Sequence, residues 1–152
     1  MHGEGLYVYD SGAEYKGEWK NDLRHGRGKH TYSNGDVFKG KFREDMKVKG
    51  KYKYVNGDVY KGRWKDNKYH GEGLFTRVGA WSYHGTYSAG LKNGQGEQVF
   101  EDGTRYTGDW HGDAMHGDGE LVYPDGQRYA GKFTKNRMHG QGVYSYPSGS
   151  RV

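Results

Sequence analysis

The stretch Tyr-Lys-Gly-Glu-Trp at 15–19, followed by His-Gly-Arg-Gly at 25–28, decides the fold because its pattern returns along the whole chain. His-Gly-x-Gly begins at residues 2, 25, 70, 116 and 139, and weaker copies begin at Lys47 and Asn93. The steps between copies are 23, 22, 23, 23, 23 and 23 residues. A fixed period of this length indicates a tandem-repeat architecture. We predict one array over residues 1–152, with units 2–24, 25–46, 47–69, 70–92, 93–115, 116–138 and a partial unit 139–152.

Glycines and aromatic residues occupy fixed places in the unit. When the first residue of a unit is position zero, glycine recurs at positions 1, 3, 10 and 15, and aromatic rings recur at positions 5, 7, 13 and 17. Gly50, Tyr52 and Tyr54 therefore face one way, whereas Lys51 and Lys53 face the other. Such alternation is typical of a β-strand with one buried face.

A turn follows the first strand of each unit, as in Tyr-Pro-Asp-Gly at 123–126, where glycine supplies a positive φ. A connection of roughly six residues then leads to the next unit, and this is too short for a parallel crossover. The predicted fold is all-β: a single elongated antiparallel meander of about fourteen strands in tandem β-hairpins, twisted into a trough, with no helix of note. Rings lying across glycines on one face would form its core.

Composition and motifs exclude several classes of site. The chain has no cysteine, which rules out disulfides and thiolate metal sites. Histidines of consecutive His-Gly pairs would lie about 10 Å apart, too far to share one metal ion. The Gly-x-Gly strings are not followed by the lysine and serine of a phosphate-binding loop, and no Gly-x-Ser-x-Gly elbow occurs. We therefore predict no catalytic, metal or cofactor-binding residues and no enzyme activity.

The strings at 15–19 and 25–28 resemble the MORN (membrane occupation and recognition nexus) repeat, whose pattern is Y-x-G-x-W, a short spacer, H-G-x-G and then D-G. The resemblance runs from His2 to the end of the chain. It implies an elongated hairpin array of the kind found in ciliary radial-spoke heads, parasite cytoskeletal scaffolds, a myosin adaptor, junctional membrane proteins and, as appendages, some enzymes. We expect a non-catalytic scaffold or adaptor that binds protein partners in a cytoskeletal or axonemal, radial-spoke-like assembly.

The expected location is the cytoplasm and cytoskeleton, including the axoneme of a cilium or flagellum. No apolar run approaches the length of a membrane span, and residues 1–10 lack the regions of a signal peptide. The family resemblance adds the cytoskeletal and axonemal setting.

Positive charge is concentrated in one part of the chain. Residues 25–69 contain thirteen Lys or Arg against five Asp or Glu, whereas the whole chain has a net charge of +5. Seven of these bases fall on the face opposite the rings: Lys29, Lys39, Lys41, Lys51, Lys53, Lys61 and Arg63. This patch would meet an acidic protein or an anionic phospholipid membrane, or it only keeps the sheet soluble. The alternative function is thus a membrane-apposed module, and nucleic acid is not expected because the rings lie on the other face.

The aromatic face is a second candidate site, predicted as a concave groove for an extended peptide or an amphipathic helix. The alternative is that its rings only pack against one another. The candidate groove residues are Tyr54, Tyr60, Trp64, Phe75, Trp81, Tyr83, Tyr87, Phe100, Tyr106 and Trp110. Departures from the repeat, such as Arg77 in place of a ring and the extra Trp81, indicate a kink or a partner contact. Strand edges at both ends of the array predict a homodimer or an end-to-end contact.

Overall fold

The computed structural model describes residues 2–147, which form thirteen strands in one sheet. The strands are β1 (Gly3–Val8), β2 (Glu14–Lys20), β3 (Leu23–Thr31), β4 (Val37–Arg43), β5 (Met46–Lys53), β6 (Val59–Lys65), β7 (Lys68–Arg77), β8 (Trp81–Ser88), β9 (Leu91–Val99), β10 (Arg105–His111), β11 (Ala114–Val122), β12 (Arg128–Thr134) and β13 (Arg137–Ser145). Each strand pairs antiparallel with its neighbours in sequence, and the sheet does not close. The predicted all-β meander is confirmed.

The sequence predicts about fourteen strands, and the end of the partial seventh unit, residues 148–152, lies outside the described residues. Within residues 2–147, no helix has the length and apolar character needed to cross a membrane.

The turn inside each unit is held by a repeated set of hydrogen bonds. In the second unit the amide of Tyr32 donates to the carbonyl of Asp36 at 2.8 Å, and the amide of Gly35 donates to the carbonyl of Tyr32 at 2.9 Å. The amide of Asp36 also donates to Oδ1 of Asn34 at 2.9 Å. Gly35 has a φ of 98°, a value that glycine adopts without strain. The recurring Asn-Gly and Asp-Gly pairs therefore have a local structural cause.

The connection between units is much shorter than the six residues expected, and that prediction was wrong. Strands β2 and β3 are joined by Asn21 and Asp22 alone, with φ values of 52° and 65°. Two consecutive positive φ values are typical of a type I′ turn, whose twist matches that of the flanking strands. His-Gly-x-Gly then lies inside β3, where Gly26 has a φ of 81° and the pairing register shifts between Gly17 and Trp19. The motif builds a β-bulge rather than a loop.

The 22-residue step reflects a shortened bulge. Trp19 pairs with Arg24 across the first connection between units, and Phe42 pairs with Lys47 across the next. Lys47 therefore occupies the place of Arg24, and it does not replace the motif histidine as the sequence comparison indicated. One residue of the bulge is deleted, since Lys47 and Gly50 are separated by one residue fewer than Arg24 and Gly28.

Neighbouring tight turns are also joined to one another. The amide of Asp113 donates to the carbonyl of Lys92 at 3.0 Å, and the amide of Lys92 donates to Oδ1 of Asp113 at 2.7 Å. Asn136 and Met115 repeat the exchange at 3.0 and 2.8 Å. Each of these turns thus ties its hairpin to the preceding one, beyond the hydrogen bonds of the strand ladder.

The core is a continuous zigzag of rings on one face of the sheet. Rings from positions 13 and 17 alternate along it, with neighbouring centroids 4.9 to 5.7 Å apart and planes inclined by 76° to 89°. Such edge-to-face contacts are the favourable geometry for aromatic pairs. The zigzag runs through Trp19, Tyr15, Phe42, Phe38, Trp64, Tyr60, Tyr87, Tyr83, Trp110, Tyr106, Phe133 and Tyr129, all of them buried.

Each position-13 ring lies across a pair of glycines. In the third unit Gly62 pairs with Gly73, and the ring of Tyr60 covers both. The Tyr60 hydroxyl reaches past them and donates to the carbonyl of Arg63 at 2.8 Å. A Cβ atom on Gly73 would lie 2.6 Å from Cζ of Tyr60, which is far inside van der Waals contact. Glycine is therefore needed here for space, and the single sheet buries its rings against its own backbone.

We expect Gly73→Ala to lower the free energy of unfolding by about 3 kcal/mol, because the new methyl group must displace the Tyr60 ring. In a Tyr60→Leu background the same change should cost less than about 1 kcal/mol, since the smaller side chain turns away. Urea unfolding followed by tryptophan fluorescence measures both values. Equal costs in the two backgrounds would contradict the ring-over-glycine interpretation.

Candidate functional site

The polar face carries a row of facing lysines, which we call the lysine ladder. Cross-strand register places Lys16 opposite Lys29, Lys29 opposite Lys39, Lys39 opposite Lys51, and Lys51 opposite Lys61. The five side chains come from five consecutive strands, β2 to β6, and all are exposed. Neighbouring strands lie about 4.8 Å apart, so the ladder runs along the axis of the array.

A second basic row lies beside the ladder. Arg27 pairs with Lys41, Lys41 with Lys49, and Lys49 with Arg63. Most of the two rows line a groove of about 1180 Å³ on the polar face, which we call the basic groove. Lys53 lies outside the two rows, where it pairs with Val37 and Val59. Six of the seven predicted patch residues are thus brought together.

The structure adds Lys16, Arg27 and Lys49 to the predicted patch. Arg27 and Lys49 were missed because residues at the start of a unit were assigned to a connection, whereas they lie in β3 and β5. Lys16 was missed because it precedes the basic stretch of the sequence. The alternation of side chains along a strand assigns all three residues to the polar face once β3 and β5 are begun directly after the two-residue turns and β2 is included in the patch.

The structure divides the ten candidate groove residues of the aromatic face into buried and half-buried ones. Most of them belong to the buried core: Tyr60, Trp64, Phe75, Tyr83, Tyr87, Tyr106 and Trp110. Tyr54, Trp81 and Phe100 are only half-buried and pack against that core. The 1180 Å³ groove lies on the polar face because the rings fill the space above the glycines. Partner binding at these ten residues stays a prediction.

Half-buried rings form an outer layer along one edge of the aromatic face. Position 7 supplies one ring to most units, and we call this row the aromatic strip: Tyr9, Tyr32, Tyr54, Phe100 and Tyr123. Two depressions lie between successive units of the strip. One of about 420 Å³ is lined by Phe100 and Leu121, and one of about 380 Å³ is lined by Tyr123 and Tyr144. Their lining residues differ by one repeat of 23, so the depressions are copies of one feature.

Arg77 interrupts the strip in the fourth unit. Its guanidinium donates to Oδ2 of Asp58 at 3.0 Å, and this hydrogen-bonded ion pair holds the pKa of Asp58 below its usual range. Trp81 stacks on Phe75 with centroids 5.0 Å apart and lies 5.4 Å from Arg77 Cζ. These departures from the repeat therefore contact one another, whereas their predicted role as a kink or a partner contact stays a prediction.

Two lysines lie on the aromatic face among rings. Lys47 Nζ is 5.1 Å from the ring centroid of Trp64, and Lys92 Nζ is 4.4 Å from that of Trp81. Lys92 also donates to Oε1 of Gln98 at 2.6 Å. Burial lowers the pKa of both ammonium groups, and cation–π attraction offsets part of their lost hydration. They belong to the core rather than to the basic groove.

His30 takes an aromatic place in the outer layer but has a titratable ring. It is buried, its ring lies 4.3 Å from that of Tyr32, and Nη1 of Arg24 is 3.2 Å from its Nδ1. Arginine only donates, so Nδ1 accepts and the neutral ring carries its proton on Nε2. Burial, with the nearby charges of Arg24 and Lys47, lowers the pKa of His30 from 6.5 to about 4.

Within residues 2–147 no group of three or more His, Asp or Glu side chains is placed to hold a metal ion. His111 and His116 come within 6.0 Å of each other, measured between ring centroids, and both are exposed.

A one-layer sheet of tandem hairpins, with a core of rings over glycines, defines a β-hairpin repeat protein. The family model for the MORN repeat matches residues 1–14, 15–37, 38–59, 60–78, 83–105, 106–128 and 129–151. The chain belongs to the MORN-repeat family, as its motifs predicted. No curated protein sequence matches the chain.

Solved structures with a similar fold include domains of SAS-4 and CPAP. The TCP domain of SAS-4 (dCPAP) of Drosophila melanogaster, in complex with a proline-rich motif of Ana2 (dSTIL), matches with a TM-score of 0.57 and 15% identity, covering 98% of this chain and 87% of that chain. The TCP10 domain of Danio rerio CPAP, in complex with a peptide of Danio rerio STIL, matches with a TM-score of 0.57 and 21% identity, covering 96% of this chain and 66% of that chain. At such identities the likeness shows the fold.

We expect His30→Phe to reduce the loss of stability on mild acidification. Between pH 6.5 and about 4 the unfolded chain binds a proton at His30 and the folded chain does not, so the free energy of unfolding falls as pH decreases. Phenylalanine keeps the ring and removes this contribution, while the carboxylates still titrate. Urea unfolding at pH 7.0, 6.0 and 5.0 measures the slope. An unchanged slope would show that His30 is accessible to protons in the folded state.

Proposed function

We propose that this protein is a non-catalytic scaffold that binds polypeptide partners within a cytoskeletal assembly of the cytoplasm. Its proposed setting is the axoneme of a cilium or flagellum, in a role like that of a radial-spoke head. The observation that carries the proposal is the aromatic strip, which repeats one half-buried ring and one depression along a single continuous sheet.

The strip suits an extended peptide better than a compact ligand. One hairpin advances the array by about 9.6 Å, because it adds two strands. A polyproline II helix rises about 9.3 Å per turn of three residues. A peptide with proline at every third position would therefore place successive proline rings over Phe100, Tyr123 and the depressions beside them. Aromatic-lined grooves are the usual receptors for such peptides.

The two structural neighbours support the same class of partner. Both were solved with a peptide, and one of these peptides is a proline-rich motif. The family membership of the chain supports a scaffold role without naming its partner.

We expect Phe100→Ala combined with Tyr123→Ala to weaken binding of a labelled peptide with proline at every third residue by at least tenfold. Both rings are half-buried and flank the depressions, so their removal takes away contact area. Fluorescence anisotropy measures the affinity, and an amphipathic helical peptide provides the competing occupant. Tighter binding of the helical peptide would contradict the proposed extended ligand and favour the amphipathic helix, which is the other predicted ligand.

The control for this experiment is Leu91→Ala, which removes an exposed apolar side chain beside the tight turn between β8 and β9, at the other end of β9 from Phe100. It should leave peptide affinity unchanged within twofold. Proximity labelling in the native cell, with wild-type protein and the double variant, tests the setting. Labelling that finds no cytoskeletal protein, or the same proteins for both forms, would contradict the proposal.

The basic groove supports the alternative function, a membrane-apposed module, because its cationic side chains all lie on the polar face of the sheet. Binding to phosphatidylserine vesicles that weakens with salt would support it. An end-to-end contact or homodimer also stays a prediction. Among the described strands, β1 pairs only with β2 and β13 only with β12, so each has one free edge.

A further inference from the structure

We propose that the basic groove binds an extended acidic segment of another polypeptide, whose Asp and Glu carboxylates lie along the lysine ladder. The inference rests on the proposed scaffold function in that the ligand is again a polypeptide. It uses the opposite face of the sheet from the aromatic strip, so the two sites are tested separately.

From β3 to β6, positive charges face one another without acidic neighbours on the same strands, whereas β2, which carries Lys16, also carries Glu14 and Glu18. Strands β3 to β6 contain no Asp or Glu. The five acids of residues 25–69 all lie at turns: Asp36, Glu44, Asp45, Asp58 and Asp66. Among the ion pairs of residues 2–147, none includes a side chain of the lysine ladder or of the second basic row. Like charges directly opposite destabilise a sheet, and an anionic ligand would relieve that repulsion.

The same sheet shows how these positions look when charge is balanced. Asp118 and Lys132 occupy the register positions of Arg27 and Lys41, and they form an ion pair at 2.6 Å. On the same two strands, β11 and β12, Glu120 likewise forms an ion pair with Arg128 at 2.9 Å. The repeat therefore accepts opposite charges at these positions. The unbalanced charge of β3 to β6 is a local feature and no general property of the hairpin.

The shape of the surface favours a chain over a membrane. The groove of about 1180 Å³ has glycine backbone along its floor, at Gly40, Gly50 and Gly62, and Glu18 and Glu72 among its lining residues. A flat anionic bilayer would meet these two carboxylates and span the groove without filling it. An extended peptide can enter such a groove and lie along Lys39, Lys51 and Lys61, a row that contains no carboxylate.

The dimensions limit the length of the ligand. Five strands of the ladder span about 19 Å from Lys16 to Lys61. An extended chain covers that distance with about six residues. Flexible lysine side chains need no fixed spacing of carboxylates, so a run of Glu, Asp or both is sufficient.

The test uses the whole protein and labelled hexaglutamate, with hexaglutamine as the neutral peptide and phosphatidylserine vesicles as the membrane. Hexaglutamate should bind at 50 mM salt, at least tenfold more weakly at 300 mM salt, and hexaglutamine should not bind. Lys39→Glu combined with Lys51→Glu should weaken hexaglutamate binding at least tenfold. This variant turns two like-charge pairs, with Lys29 and with Lys61, into opposite-charge pairs and leaves one like-charge pair between positions 39 and 51, so it should fold at least as stably as the wild type.

A matched control separates the groove from overall charge. Lys135→Glu combined with Arg137→Glu changes the net charge equally at exposed positions far from the ladder, and it should keep hexaglutamate affinity within twofold. An equal loss of hexaglutamate affinity in both variants would show that net charge alone determines binding, and would overturn the proposal. Vesicle binding without hexaglutamate binding would overturn it in favour of a membrane, and binding to neither would overturn it outright.

The strip variant makes this test independent of the proposed function. Phe100→Ala with Tyr123→Ala should bind hexaglutamate as the wild type does, because those rings lie on the other face. Loss of hexaglutamate binding in that variant would mean that the two faces are not separate sites, and would overturn the assignment to the groove.

Discussion

An aromatic ring lying across two paired glycines is the contact on which the whole sheet depends. A single sheet has no second layer to cover it, so its apolar side chains must be buried by its own backbone and by one another. Glycine lets a ring such as Tyr15 lie flat over Gly17 and Gly28 in direct contact with the backbone. The same arrangement recurs in all six complete units, and successive rings meet edge to face. The rings therefore join the hairpins into one core that runs along the array.

This contact also determines which face remains free for binding. Because the rings fill the space above the glycines, the aromatic face offers only its outer layer and the shallow depressions beside the turns. The opposite face consists of exposed side chains above a glycine-rich backbone, and it forms the larger groove. A single sheet thus presents two unlike surfaces along the same axis, one aromatic and one charged.

Departures from the repeat gather in the third to fifth units and have structural causes. The deletion at Lys47 shortens one bulge, and Arg77 replaces a strip ring but pairs with Asp58. The Nε1 atom of Trp64 is buried without a hydrogen-bond partner, whereas the same atom of Trp19 and Trp110 donates to a glycine carbonyl at 3.2 and 3.0 Å. The array is thus least regular near its middle, beside the basic groove.

Spacing along the chain was sufficient to predict most of the fold. Position-by-position repetition of Gly62, Tyr60 and their equivalents predicted strands, their buried face, their antiparallel order and the family, since each follows from local periodicity. All seven patch residues could be placed on one face for the same reason, and six of them lie in the two basic rows. The tight turns were not predicted, because a pair such as Asn21 and Asp22 continues the ladder only when neighbouring strands set its φ values.

Only the tertiary structure decided how much of each face is accessible. The sequence by itself determined that Tyr60 and Trp64 lie on the ring face and that Lys39 and Lys51 lie on the other. It did not determine how completely the rings fill their face or which lysines lie opposite one another, because burial and register depend on contacts between residues more than ten positions apart. Alternation along a strand fixes the direction of a side chain, whereas pairing between strands fixes its neighbours.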